Sequence, residues 1–411
     1  MKKGFQGKIR VMLLSGVVLL VPQLAHAKTG DPVTIGKGVT LDPIFDATLR
    51  YEAVDQPTVD ADALTIRLRS GLEIAASGFS FLAEAEGTLA LVDDYNDTIP
   101  GNGTEPFAVV ADPESIELNR IQVQYANKNF GRITVGRQKL NLDDQRFVGS
   151  VSWRQNEQTF DAVTAQITAL KPVTLEGTYA ISQRTIFGSE AGPRAAFDGD
   201  FVFLGASADV GPIKLKGFSY LIDYDLSEPV ATSSTQTYGA MASGKIKLGG
   251  KASLDLRARY AIQKDYGGNP GNYSVDYVDG SIGTSIAGFS LSVNYENLGS
   301  NGAGARFQTP LATLHKFNGF ADLFLSTPPQ GLEDKYATIG YKIPLLGGIT
   351  TAVTYHNFDS DKGGISYGDE WNASAAFKLG PLNALVKYAD YNADLFGVDT
   401  KKLWLQLGYS F

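Results

Sequence analysis

The 411-residue chain has no cysteine, only three histidines and only three tryptophans. Without thiols there is no disulfide scaffold, no Cys-ligated zinc or iron–sulfur site and no thiol nucleophile. The histidines, His26, His315 and His356, leave little for metal binding or acid–base chemistry, and none lies in a hydrolase motif. Long apolar runs are missing too, since beyond residue 27 no stretch approaches the roughly 18 apolar residues of a membrane-spanning helix. Bases are outnumbered, 36 Lys and Arg against 44 Asp and Glu, which argues against a nucleic-acid partner. Neither an enzyme, a cofactor nor a resident metal is expected.

What is present begins with an export signature. Lys2, Lys3, Lys8 and Arg10 precede the apolar run Val11 to Val21, and small residues Ala25 and Ala27 flank His26 before Lys28. This pattern predicts a cleaved signal peptide over 1–27 and a mature chain over 28–411. Cleavage removes four bases and no acids, leaving 32 bases against 44 acids. An exported chain without an apolar helix can enter a membrane only as a closed barrel.

From Val39 onward the hydrophobic period is two, in segments of about ten residues, the length of a tilted membrane strand. In the final segment Leu403, Leu405, Leu407, Tyr409 and Phe411 share one face, and Trp404, Gln406, Gly408 and Ser410 share the other. Near the start, Leu64, Ile66, Leu68, Leu72 and Ile74 oppose Thr65, Arg67, Arg69, Gly71 and Glu73. One face suits lipid; the other is too charged for the dry interior of a soluble sandwich. Eight short connections, such as Ser77-Gly78, Gly211-Pro212, Ala287-Gly288 and Gly380-Pro381, interleave with nine longer ones. The expected fold is therefore all-β, a single transmembrane antiparallel barrel of about 18 strands with short periplasmic turns and long outer loops. A soluble secreted β-protein is the competing reading.

Two stretches resemble known patterns. The row Leu403, Leu405, Leu407, Tyr409, Phe411 is similar to the C-terminal assembly signal of bacterial outer-membrane barrels, which implies the barrel-assembly machinery as a partner. The segments Ser115 to Tyr125, Gly131 to Gly149 and Trp153 to Ala162 resemble the alginate-export family of outer-membrane barrels. That resemblance implies an 18-stranded porin-like channel in the outer membrane of a Gram-negative bacterium, passing anionic solutes or acidic polysaccharide passively, with periplasmic export machinery as a possible partner. Arg137, Gln138, Asp143 and Asp144 match the family's Gly-Arg-Gln and Asp-Asp pattern. Phe147 to Gln158 departs from the tryptophan- and acid-rich stretch of the alginate exporters, which leaves a general diffusion or nutrient-uptake porin open, and a closed structural barrel after it.

An anionic solute in a narrow pore calls for fixed positive charge on the wall. The alternation places Arg67, Arg69, Arg120, Arg257 and Arg259 on lumen faces, together with Arg50 and Lys387, and Arg146 and Arg154 in a long loop. Glu84, Glu86, Asp143, Asp144 and Glu157 are their expected pairing acids, and for any one arginine a structural cross-strand pair is the plainer reading. Arg137 shares its parity with Ile133 and Val135, so it reaches the pore only if Gly136 forms a bulge. His315 and His356 read as polar surface residues. Leu311, Leu314, Phe317, Phe320 and Phe324 allow a short helix, or a cluster packed within a loop.

Overall fold

The computed structural model describes residues 31–99, 106–345 and 348–411. The segment 1–27, with Ala25 and Ala27, for which a cleaved signal peptide is expected, lies outside these residues.

A four-residue strand, β1 (Val33–Gly36), precedes the long strands β2 (Val39–Asp55), β3 (Asp60–Ala76) and β4 (Phe79–Asp94). Then come β5 (Ser115–Asn127), β6 (Gly131–Gln138), β7 (Thr159–Ile167), β8 (Val173–Arg184), β9 (Ala196–Val210) and β10 (Ile213–Tyr224). The series continues through β11 (Thr235–Gly249), β12 (Ala252–Asp265), β13 (Ser274–Ile286), β14 (Phe289–Leu298) and β15 (Leu332–Ile343). It ends with β16 (Ile349–Asp359), β17 (Ser366–Leu379), β18 (Leu382–Ala393) and β19 (Thr400–Ser410).

Each strand from β2 to β19 pairs antiparallel with the next, and β19 returns to β2, Leu405 opposite Tyr51 and Ser410 opposite Asp46. Eighteen strands thus form a closed barrel with no free lateral edge along most of its height. The turns explain the registers. Ser77 and Gly78 both have positive φ, as do Ala287 and Gly288, the two-residue hairpin geometry whose twist matches that of the strands it joins.

Side chains alternate as the period of two predicts. Leu405, Val353 and Val293 are turned outward, each about half exposed, while Trp404 on the opposite face of β19 is fully buried. Such a belt of aliphatic residues with no protein covering it is the surface a bilayer covers, and burying it there is favourable by roughly 25 cal/mol per Å². Two loops, 139–158 and 299–331, fold into the interior and narrow it. Phe147 lies 5.3 Å from Phe218 and 5.3 Å from Tyr277, and Phe307 lies 5.2 Å from Tyr277. Leu311 and Phe324 belong to this core. Of the two readings of 311–325 the loop-packing cluster is the one formed, with a single 3-10 turn at Leu314–Lys316.

Candidate functional site

The two in-folded loops meet the barrel wall in a layer of charge and aromatic rings. Trp153, carried by the 139–158 loop, stacks its ring on His315 at 4.3 Å, with the Arg50 guanidinium of the wall 4.2 Å from the ring centre. Arg50 also donates to the Trp153 carbonyl at 2.5 Å and to Gln406 at 2.7 Å. From β18 the Lys387 ammonium enters the same layer, 4.0 Å from the Trp153 ring centre and 3.4 Å from that of Phe320. It donates to His315 Nε2 at 2.6 Å, so Nδ1 carries the histidine's proton and donates it to Asp322 at 2.7 Å. Burial lowers the His315 pKa well below its ordinary value, and Lys387 adds to this against the opposing pull of Asp322. The ring is neutral. Burial alone would raise the Asp322 carboxyl, but His315 and Lys402 outweigh it and hold it far down.

Arg154 joins the layer to three carboxylates, Asp322 at 2.9 Å, Glu52 at 3.3 Å and Asp112 at 3.7 Å. Asp112 also meets Arg50 at 3.5 Å, and Lys402 meets Asp322 at 3.3 Å. The layer therefore holds four cations, Arg50, Arg154, Lys387 and Lys402, against three carboxylates, Glu52, Asp112 and Asp322. Lys387 is the surplus: among the described residues no carboxylate lies within 4.0 Å of its ammonium. Two buried indole N–H groups here, Trp153 Nε1 and Trp404 Nε1, have no hydrogen-bond partner among the described residues.

Above this layer lies a cavity of 480 Å³ lined by Val54, Val151, Phe187, Phe197, Leu314 and Leu323, with Arg154, His315, Asp322 and Lys402 also on its walls. A smaller one of 260 Å³ lies among Arg120, Gln124, Thr134, Lys139 and Glu176. The in-folded 139–158 loop borders both.

Arg67, Arg69, Arg120, Arg257 and Arg259 are each ion-paired. Arg67 bonds Asp46 and Thr48, Arg69 bonds Glu86 and also Glu157 at 2.7 Å, and Arg120 grips Glu84 at 2.6 and 2.8 Å. Arg257 forms a bidentate pair with Asp279, and Arg259 meets Asp144 at 2.5 Å. The loop acids pair with wall bases: Asp143 with Lys216 at 2.7 Å, Asp144 with Arg259, and Glu157 with Arg69. Glu157 also meets Lys139, its own loop neighbour, at 2.5 Å. Burial pushes the Glu157 carboxyl up, but Arg69 and Lys139 outweigh it and hold it at about 2. Arg146 reaches Glu296 on β14 at 2.6 Å, with Thr309 and Asn318 completing its shell. The side chains of Arg146, Arg154, Asp143, Asp144 and Glu157 do not pair with one another but fasten 139–158 to β2, β3, β10, β12 and β14, while Arg137 pairs with Asp161.

Two placements correct the sequence reading. Arg137 is not in the lumen. The β5–β6 ladder runs through Gln122–Gly136 and Ile121–Arg137 without a slip, so Gly136 makes no bulge and Arg137 keeps the outward parity of Val135. It pairs there with Asp161 at 2.8 and 2.9 Å. Gly136 is required for close approach instead, because a Cβ would stand 2.3 Å from the Ile121 carbonyl oxygen. The histidines are not surface groups either. Both are buried, His356 against Asp334 at 2.9 Å. Asp322 was missed and Phe320 was read only as part of a loop cluster or short helix, because nothing in local spacing says where residues of a long connection will land.

Residues 55–185 match the family described as alginate export. No curated protein matches the chain in sequence. Among solved structures the chain is similar to OpdO of Pseudomonas aeruginosa, with a TM-score of 0.68 at 15% identity, covering 90% of this chain and 97% of that one. It is similar also to P. aeruginosa OpdK with vanillate, at 0.68 and 13% over 90% and 98%. OccAB4 of Acinetobacter baumannii aligns at 0.70 and 11%, again over 90% and 98%. The chain has the fold of these outer-membrane barrels.

Proposed function

We propose that this chain is a passive, non-enzymatic channel of the bacterial outer membrane for anionic solutes. The observation that carries the proposal is the layer in which four cations face three carboxylates, with the Lys387 ammonium held by aromatic rings and a neutral histidine. In a narrowed lumen with low-dielectric walls such a surplus focuses the field on anions. Arg67, Arg69, Arg120, Arg257 and Arg259 line the lumen below and beside it, so neighbouring carboxylates balance their charge while their guanidinium groups still supply donors. Arg146 and Arg154 hold the loop that narrows the pore; Arg137 has no part in it.

The match to the alginate-export family favours an acidic sugar as solute, with the barrel-assembly machinery reading the final Leu403 to Phe411 row and, for export, periplasmic machinery delivering the polymer. A second reading rests on the apolar 480 Å³ cavity above the charged layer, which suits a small carboxylate with an apolar body, as vanillate in OpdK is. Single-channel recording of the mature chain in a planar bilayer separates these. Anion-selective current blocked by oligomannuronate supports the acidic-sugar channel, and block by vanillate alone supports the small aromatic acid. Unselective current or none refutes the proposal.

A further inference from the structure

The barrel wall is not closed by a backbone ladder over its whole height. Strand β6 ends at Gln138, where the chain turns into the lumen, and its pairing with β5 ends at Ile121–Arg137. On the other side β5 stays paired to β4 up to Ser115. Among the described residues no strand is registered against Ser115–Arg120 on the β6 side. A seam is left between upper β5 and the ends of β7 and β8.

Side chains and one loop segment seal this seam. Arg137 donates to the Leu118 carbonyl at 3.3 Å while holding Asp161 on β7. Arg184 at the end of β8 meets Glu117 at 3.3 Å. The Ser189 amide donates to Ser115 Oγ at 3.3 Å, and its hydroxyl to the Ile116 carbonyl at 3.2 Å. Gly188 packs so closely that a Cβ would meet Ser115 Oγ at 2.3 Å. These four contacts stand where a continuous ladder stands elsewhere in the wall.

Lipid-facing residues border the seam outside. Ile116 is 72% exposed, and Leu89, Leu91, Leu118, Tyr179 and Ile181 are turned outward around it. The Tyr179 hydroxyl donates to Asp200, an aromatic-to-acid pair of the kind found where hydrocarbon gives way to headgroups. Behind the sealing segment lies the apolar cavity, whose wall includes Gln183, Thr185, Ile186 and Phe187. Phe187 is in turn held by the Arg194 guanidinium, 3.8 Å from its ring centre, and Arg194 is anchored on the Thr98 carbonyl at 2.5 Å.

From this arrangement we infer that the seam is a lateral portal, through which apolar or amphipathic molecules pass between the outer leaflet and the cavity when the 185–189 segment swings away. A polar seal between two apolar compartments is costly to open to lipid along a full ladder, but here one ion pair, Arg184–Glu117, and a few hydrogen bonds must part, among them that from Asn156 Nδ2 to the Ile186 carbonyl at 3.2 Å. The inference does not depend on ion selectivity along the barrel axis.

The test uses the mature chain in lipid vesicles and an aryl diazirine dissolved in the lipid. Light should attach label to Phe197 and Leu323 inside the cavity as well as to outward Val353. The chain has no cysteine, so Ser115→Cys with Ser189→Cys supplies the sole thiols, and bridging them should abolish the cavity label while leaving that on Val353. Glu117→Cys with Arg184→Cys, bridged in the same way, is the second pair should the first fold poorly. A charged, water-soluble diazirine should label the cavity in bridged and unbridged protein alike. Cavity label that is absent before bridging, or unchanged after it, overturns the portal.

Discussion

Replacing Lys387 by glutamine removes the surplus charge of the constriction with little change in shape. The ammonium is 3.4 Å from the Phe320 ring centre and 2.6 Å from His315 Nε2, and a glutamine amide can still donate to that nitrogen. The layer then holds three cations against three carboxylates. Lys387 is buried and does not line the cavity, so a solute carboxylate held at the layer stands roughly 8 Å from its ammonium, where two unit charges attract by about 0.5 kcal/mol in bulk water and about 2 kcal/mol at an effective dielectric of about 20. With about 1.4 kcal/mol per factor of ten, the smaller figure already predicts a loss of about twofold in anion preference. The assay is the reversal potential of single channels in a KCl gradient, for the mature chain and for K387Q side by side. A reversal potential shifted towards zero at nearly unchanged conductance is expected. Full anion selectivity retained by K387Q would refute the argument, and would transfer selectivity to the paired arginines.

Three further predictions rest on other contacts. Arg146→Ala leaves Glu296 buried without its partner, which should cost about 3–5 kcal/mol, whereas Arg146→Met with Glu296→Leu should recover most of it; denaturant unfolding of the purified barrel measures both. Stability should fall on acidification in two stages. His315 has a folded pKa below its unfolded value, so the unfolded chain binds the proton first and stability declines as pH drops below about 6.5. Glu157 is held at about 2, so its contribution is complete above its unfolded pKa of about 4.3 and is lost as pH falls through the range down to 2; thermal unfolding of His315→Asn should lack the first stage, and of Glu157→Gln the second. Gly188→Val should loosen the seam, since the side chain collides with Ser115 and the residue has φ of +76°; lipid-phase labelling of Phe197 should rise.

The strands could be read in the sequence because a bilayer-facing barrel imposes the same rule on every segment. Leu405 outward and Trp404 inward follow from alternation alone, and the two-residue turns at Ser77-Gly78 and Ala287-Gly288 mark where it restarts. Parity even warned that Arg137 shares a face with Val135. The constriction was only partly legible. Lys387 fell on a lumen face, but its companions His315, Phe320 and Asp322 arrive from a connection whose path is decided by packing against β17 and β18. Arg146 and Glu296 lie 150 positions apart, and no local pattern couples them. What could have been taken from the sequence is that a connection carrying Leu311, Phe317, Phe320 and Phe324 has too much apolar surface to remain in water.

Closure of the barrel sets an order of events in time. Hairpins such as β3–β4 join neighbours and can form as soon as both strands exist, but the seam between β19 and β2 joins Arg50 to Gln406, 356 positions away. Long-range contacts of this kind form late, because their loop entropy is paid before they return anything. Until then two strand edges are open, and an incomplete barrel needs a host that shields them. Glu52 of β2, Arg154 of the inner loop, Asp322 of the outer loop and Lys402 of β19 are linked in one chain of contacts. The constriction is therefore finished only at the moment the cylinder shuts, and a half-assembled chain has no selective pore to leak through.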